Sequence, residues 1–264
     1  MTKHAAILFA CIFLSSTHLV QAGPYSFTAL GDLSGGIFNS FAESVSADGS
    51  IVTGTSYSSS GRQAFRWTPS GGLVGLGDLP GGTFDSRGYG VSDNGVIVGR
   101  GSSSSSSSEA YRSSSGVMSA LGDLPGGSFS STALGISADG QVIVGGSYSS
   151  SGFEAFRWTS SGGMVGLGDL PGGGFYSYAT DVSDNGSVVG GQSQTLETEA
   201  FLWTAQDGMV GLGDLPGGQD LSVAYGVSPD GSVVVGVSGS TLGYEAFRWS
   251  SESGRVGLGA LPGG

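Results

Sequence analysis

Beyond its first 22 residues the chain has no cysteine, lysine or histidine; Cys11, Lys3, His4 and His18 all fall within them. Without cysteine there is no disulfide framework and no thiol nucleophile. Without histidine a Ser-His-Asp triad and the usual zinc sites are excluded, and without lysine there is no Schiff base. Positive charge is scarce, since eight arginines face 21 acidic residues in this part. Such a negative field argues against nucleic acid and anionic membrane surfaces as partners. Long hydrophobic runs are missing too. The longest, Ala5–Leu14, has ten residues, about half of what a bilayer-spanning helix needs.

That run defines the start of the chain. Lys3 and His4 precede it, and Val20-Gln21-Ala22 follows with small residues at −3 and −1. This is the pattern of a signal peptide cleaved after Ala22, so residues 1–22 are expected to be removed and the rest secreted or held at the cell surface. Cys11 after Leu8-Phe9-Ala10 is the alternative of a lipoprotein box, but the apolar run continues past it.

What is present in excess is glycine, 52 of 264 residues, and it recurs on a fixed period. LGDLPGG stands at 76–82, 121–127, 167–173 and 212–218, with LGDLSGG at 30–36 and LGALPGG at 258–264. Successive copies start 46, 45, 46, 45 and 46 residues apart. A constant period of this size means one supersecondary unit repeated. Within a unit, STALGIS (131–137) and QVIVGGS (141–147) flank Asp139-Gly140, a strong hairpin signal. Asp48-Gly49, Asn94-Gly95, Asn185-Gly186 and Asp230-Gly231 repeat that turn. A third strand follows, EAFRW (154–158), with copies QAFRW (63–67), EAYRS (109–113), EAFLW (199–203) and EAFRW (245–249). MVGLGDL (164–170) is expected to be the fourth.

Four strands per repeat with no helical period read as a blade of a β-propeller; the alternative is a β-solenoid, whose coils lack regular Asp-Gly hairpins. The blades are expected near 40–79, 86–124, 131–170, 177–215 and 222–261. Residues 27–33 are expected to add a further fourth strand, which either clasps the last blade or belongs to a ring with more blades. Phe156 and Trp158 should face one side of the third strand and Ala155 and Arg157 the other, so that aromatics pack on the next blade while alanine permits close approach.

The combination of EAF-R-W, a G-M-V turn and LG-L resembles the bacterial extracellular HAF repeat family. The resemblance covers about residues 27–264 and implies an exported or cell-surface repeat protein, sometimes part of a larger surface chain. Tyr111 and Ser113 in the second copy and Leu202 in the fourth depart from the pattern.

Loops after the second and fourth strands of a blade lie on one face. That face gathers Tyr57, Tyr148, Phe84, Phe129 and Phe175, a mixture suited to sugars or extended polymers, unless the phenylalanines plug gaps in the core. Asp32, Asp78, Asp123, Asp169 and Asp214 of the LGDL motif read as turn caps, with arginine pairing or Ca²⁺ as alternatives. Arg66, Arg112, Arg157 and Arg248, with Glu109, Glu154, Glu199 and Glu245, read as pairs stapling blade to blade. For catalysis only a carboxylate pair remains, drawn from the non-repeated Glu43, Asp85, Asp181, Glu197 and Asp220, and spacing singles out no two of them. The sequence therefore points to a non-enzymatic module without metal or cofactor, binding a protein partner or a polysaccharide, with a glycosidase as the weakest reading.

Overall fold

A computed structural model describes residues 27–106 and 108–259; the proposed signal peptide lies outside the described residues. Residues 27–30 belong to a separate N-terminal unit and contain no strand. From Gly31 onward the described chain is all β, with twenty strands in five successive groups of four.

The first blade comprises β1 (Gly35–Val45), β2 (Val52–Ser58), β3 (Gly61–Thr68) and β4 (Gly72–Gly75). The second has β5 (Gly81–Val91), β6 (Ile97–Ser103), β7 (Glu109–Ser114) and β8 (Val117–Ala120), and the third β9 (Gly126–Ile136), β10 (Val142–Ser149), β11 (Phe153–Thr159) and β12 (Gly163–Gly166). The fourth runs through β13 (Ser177–Val182), β14 (Val188–Gln194), β15 (Thr198–Thr204) and β16 (Gly208–Gly211), and the fifth through β17 (Ser222–Val227), β18 (Val233–Ser240), β19 (Gly243–Ser250) and β20 (Gly254–Gly257). Each blade is an antiparallel meander, and one parallel pairing, Arg62 with Asp85, joins the first two.

The Asp-Gly turns close the first hairpin of each blade as expected, and their side chains tie the turn together. Asp139 accepts hydrogen bonds from Ser137 Oγ (2.6 Å) and Gln141 N (2.9 Å). These bonds, the Ser137 hydroxyl first, hold its carboxyl below the usual carboxylate range. Strand crossing is close enough that glycine is required at its centre: a Cβ on Gly145 would lie 1.9 Å from the Thr132 carbonyl oxygen.

Two expectations about the fourth strand are corrected. The strand ends early, at Gly166 in the third blade, because Gly168 sits at φ +83, a conformation that leaves the pleat. LGDL is thus a linker rather than a strand. Residues 27–33 likewise contain no strand, so the further fourth strand expected there is not formed. Gly31–Gly36 instead repeats the linker: Gly31 has φ +89 and its carbonyl accepts from Ser40 Oγ at 2.9 Å.

The core lies between blades. Val98 and Ala110 of the second blade meet Ala133, Ile143 and Phe156 of the third, with Leu121 and Leu124 of the linker between them. Val144 and Ala155 of the third meet Val189 and Phe201 of the fourth in the same way. The phenylalanine therefore packs on the alanine of the preceding blade, the reverse of the direction expected from sequence. Each fully buried phenylalanine contributes about 1.5–3 kcal/mol.

Candidate functional site: loop rim and axial cavity

Inter-blade bonding uses most of the repeated polar groups. Ser177, fully buried at the start of β13, accepts the Ala155 N–H (2.9 Å) and donates to the Gly168 carbonyl (2.6 Å). Ser131 and Ser222 bridge Ala110 and Ala200 to the corresponding glycines in the same way. On the Asp-Gly rim, a second series runs from Ala47 N to Asp93 Oδ1, Asp93 N to the Ala138 carbonyl, Ala138 N to the Asp184 carbonyl, and Asp184 N to the Pro229 carbonyl.

Two of the repeated acids, Asp78 and Asp169, cap turns. Asp78 accepts from the backbone N–H groups of Leu79 (2.8 Å), Ser102 (3.0 Å) and Asp85 (2.7 Å), and Asp169 from that of Tyr176 (3.1 Å). Asp123 and Asp214 each keep one buried oxygen without a partner among the described residues, and burial raises the Asp123 carboxyl above its ordinary range. Among the described residues no cluster of three or more acidic side chains is arranged to hold a metal ion.

The expected Glu–Arg pairing is not formed among the described residues. Glu154, Glu199 and Glu245 accept the N–H of Gly168, Gly213 and Gly259 at 3.0, 2.8 and 2.7 Å. A carboxylate one strand away from a positive-φ glycine finds that N–H before any arginine. Two of the arginines, Arg112 and Arg157, reach the next blade instead. Arg157 Nε donates to the Gly186 carbonyl at 3.4 Å, and the Arg112 guanidinium lies 5.6 Å from the Trp158 ring centre.

The rim residues singled out from sequence lie at three separate blade junctions. Tyr57 and Phe84 are half-buried at the first, where the Phe84 carbonyl closes on Gly61. Phe129 is 67% exposed at the second, its carbonyl accepting from Ser106 Oγ at 2.6 Å. Tyr148 (42% exposed) and Phe175 (37%) share the third. There the described residues assemble an aromatic surface. Tyr148 packs edge-on against Phe153 at 5.0 Å, and Phe153 is stacked with Tyr176 at 5.3 Å and Tyr178 at 5.5 Å. Phe153, Tyr176 and Tyr178 were not found by sequence reasoning, because aromatics do not recur at these positions in every repeat. The available signal was the density of aromatics at 148–153 and 175–178.

The non-repeated carboxylates divide. Glu43 and Asp181, with Asp184, line an axial cavity of ≈ 420 Å³ bordered by the first strand of every blade, together with Tyr89, Thr180 and Tyr225. Asp181 is largely enclosed, and burial raises its carboxyl above the ordinary range although Oδ2 accepts the Val227 N–H at 2.8 Å. Asp85 is held by Arg62 in a two-pronged ion pair of 2.6 and 2.8 Å. Glu197 and Asp220 line a different, rim-side cavity with Glu199 and Asp214. No helix among the described residues is long and apolar enough to cross a membrane.

No protein-family model matches the sequence, and no curated protein matches it. Among solved structures, the chain is similar to TolB from Acinetobacter baumannii (TM-score 0.58, 13% identity, 82% of this chain and 53% of that one). It is also similar to a putative TolB from Agrobacterium tumefaciens (TM-score 0.56, 15% identity, 84% of this chain and 82% of that one). The chain thus spans about half the length of the first and most of the second. At such identities the likeness is one of fold: an all-β stack of four-stranded blades.

Proposed function

We propose that this chain is an exported, non-enzymatic interaction module of the β-propeller type, acting at the cell surface or outside the cell. The observation that carries the reading is where the polar groups go. Ser131, Ser177 and Ser222, together with Glu154, Glu199 and Glu245, are engaged by backbone within and between blades. Two of the carboxylates open to catalysis are similarly occupied, Asp85 by Arg62 and Asp181 by the Val227 N–H. The repeat is built to stack, and recognition is left to the variable rim. The likeness in fold to TolB and the resemblance to HAF repeats are compatible with a module of this kind, and the sequence of residues 1–22 supports export. Mass spectrometry of the protein secreted by an expressing bacterium tests export: a mature chain beginning at Gly23 is expected, and an intact Met1 in the cytoplasm would overturn it. A panel of chromogenic glycosides tests the non-enzymatic part, with no release above a heat-inactivated control expected.

A second reading is favoured by the aromatic cluster. Stacked Phe153 and Tyr176 beside Tyr148 offer flat apolar faces with phenolic edges, which suits the apolar face and hydroxyls of a sugar. An oligosaccharide at 100 times its Kd would stabilise the protein by about 2.7 kcal/mol, a rise of roughly 5–10 °C in Tm for a domain of this size. Loss of that rise in Phe153→Ala, with the unliganded fold intact, would support binding at this junction. A panel that leaves Tm unchanged would leave the protein-partner reading alone.

A further inference from the structure

Among the described residues the blade interface occurs four times, and each end of the described stack presents one half of it. Internally, an outgoing alanine gives its N–H to the first-strand serine of the incoming blade: Ala64 to Ser86, Ala110 to Ser131, Ala155 to Ser177 and Ala200 to Ser222. Those four alanines are fully buried, whereas Ala246 at the same place in the fifth blade is exposed. Val235 is 43% exposed where Val98 and Val144 are inaccessible, and Leu258 is 60% exposed where Leu76, Leu121, Leu167 and Leu212 are buried. The local geometry of the interface is nevertheless in place. Leu258 N donates to the Ala246 carbonyl at 2.8 Å, as Leu212 N does to that of Ala200. On the first blade, Ser40 and Ala42 are exposed where Ser131 and Ala133 are buried.

We propose that the outgoing face of the fifth blade, formed by Val235, Ala246, Arg248 and Leu258, is a docking surface for one further blade of this same repeat. The occupant's chemistry follows from the four internal interfaces. Its first strand carries a serine that accepts the Ala246 N–H, and its third strand carries an aromatic that covers Ala246 and Val235. A tryptophan two residues later takes the Arg248 guanidinium as Trp158 takes that of Arg112. A single blade fits better than a whole second copy. The first and fifth blades both border the axial cavity, through Glu43 and Tyr225, and rings of this kind hold four to eight blades, so five more blades entering there would meet the first. The rim hydrogen bond is not reproduced at this junction, since the fifth member of that series, Pro229, has no N–H. The serine bridge and apolar contact therefore hold the added blade.

The test extends the full chain after Gly264 with a second copy of residues 219–264, which continues the period. Hydrogen exchange at the Ala246 amide is expected to slow about tenfold or more, the worth of one net hydrogen bond, and Tm to rise. Ala246→Arg in the extended chain should return Tm to that of the unextended one. Ser222→Ala in the appended copy alone should restore fast exchange at Ala246 while leaving most of the Tm gain. Unchanged exchange at Ala246 in the extended chain would overturn the proposal. So would slow exchange in the unextended chain with a doubled sedimentation mass, which would make a second copy the occupant.

Discussion

Ser177→Ala removes one hydroxyl from the junction between the third and fourth blades. In the folded protein Ser177 Oγ accepts the buried Ala155 N–H and donates to the half-buried Gly168 carbonyl. Alanine leaves the N–H unsatisfied, at about 1–3 kcal/mol, and forfeits the second bond, at about 0.5–1.5 kcal/mol. A loss of about 2–4 kcal/mol should lower Tm by roughly 5–15 °C at this domain size. The control is built into the repeat. Ser40 occupies the same position on the first blade but is exposed, and among the described residues its hydroxyl bonds only the Gly31 carbonyl, so Ser40→Ala should change stability by less than about 0.5 kcal/mol. Urea and thermal unfolding followed by tryptophan fluorescence read both variants. Equal effects of the two substitutions would refute the reasoning, since the hydroxyl would then act locally rather than between blades.

Three further outcomes are expected. Phe201→Ala opens a cavity against Ala155 and Val144 and should cost about 3–5 kcal/mol, measured by urea unfolding, whereas Phe129→Ala on the exposed rim should cost little. Asp181→Asn should raise Tm at pH 7, because burial holds the native carboxyl above its unfolded value. A raised group favours folding fully below its unfolded pKa and loses that contribution as pH rises through the folded one. The Asn advantage should therefore shrink on acidification and vanish below about pH 3.9, as a pH series of melts would show. Asp230 behaves oppositely: hydrogen bonds from Ser228 and Ser232 lower its carboxyl to about 2. Its contribution is thus present above the unfolded carboxylate pKa and lost as pH falls towards about 2, and NMR titration of that carboxyl checks it.

The hairpins were legible because Asp-Gly turns and alternating strands are local signals. The end of the fourth strand was not: Leu-Gly-Asp-Leu alternates like a strand, and only the positive φ at Gly168, with Glu154 holding its N–H, shows the chain leaving the sheet. Glu154 and Arg157 looked like partners because both recur. Their actual partners are backbone groups, which carry no residue identity for a sequence to display. Tyr148 was visible as a rim residue by its place in the loop. Phe153, which it meets edge-on, and Tyr176 and Tyr178, which stack on Phe153, come from two blades and depart from the repeat pattern. The difference between Ala246 and its four buried counterparts is not carried by the local sequence, since all five stand in near-identical strands; only the expectation of a ring with more blades pointed to it.

Hydrogen exchange at five alanine amides in the intact chain bears most directly on this architecture. Ala64, Ala110, Ala155 and Ala200 each give their N–H to a buried serine of the following blade, and should exchange slowly. Ala246 has no such serine among the described residues and should exchange fast. Five equally slow amides in a monomer would mean that the stack closes on itself, and would contradict the account.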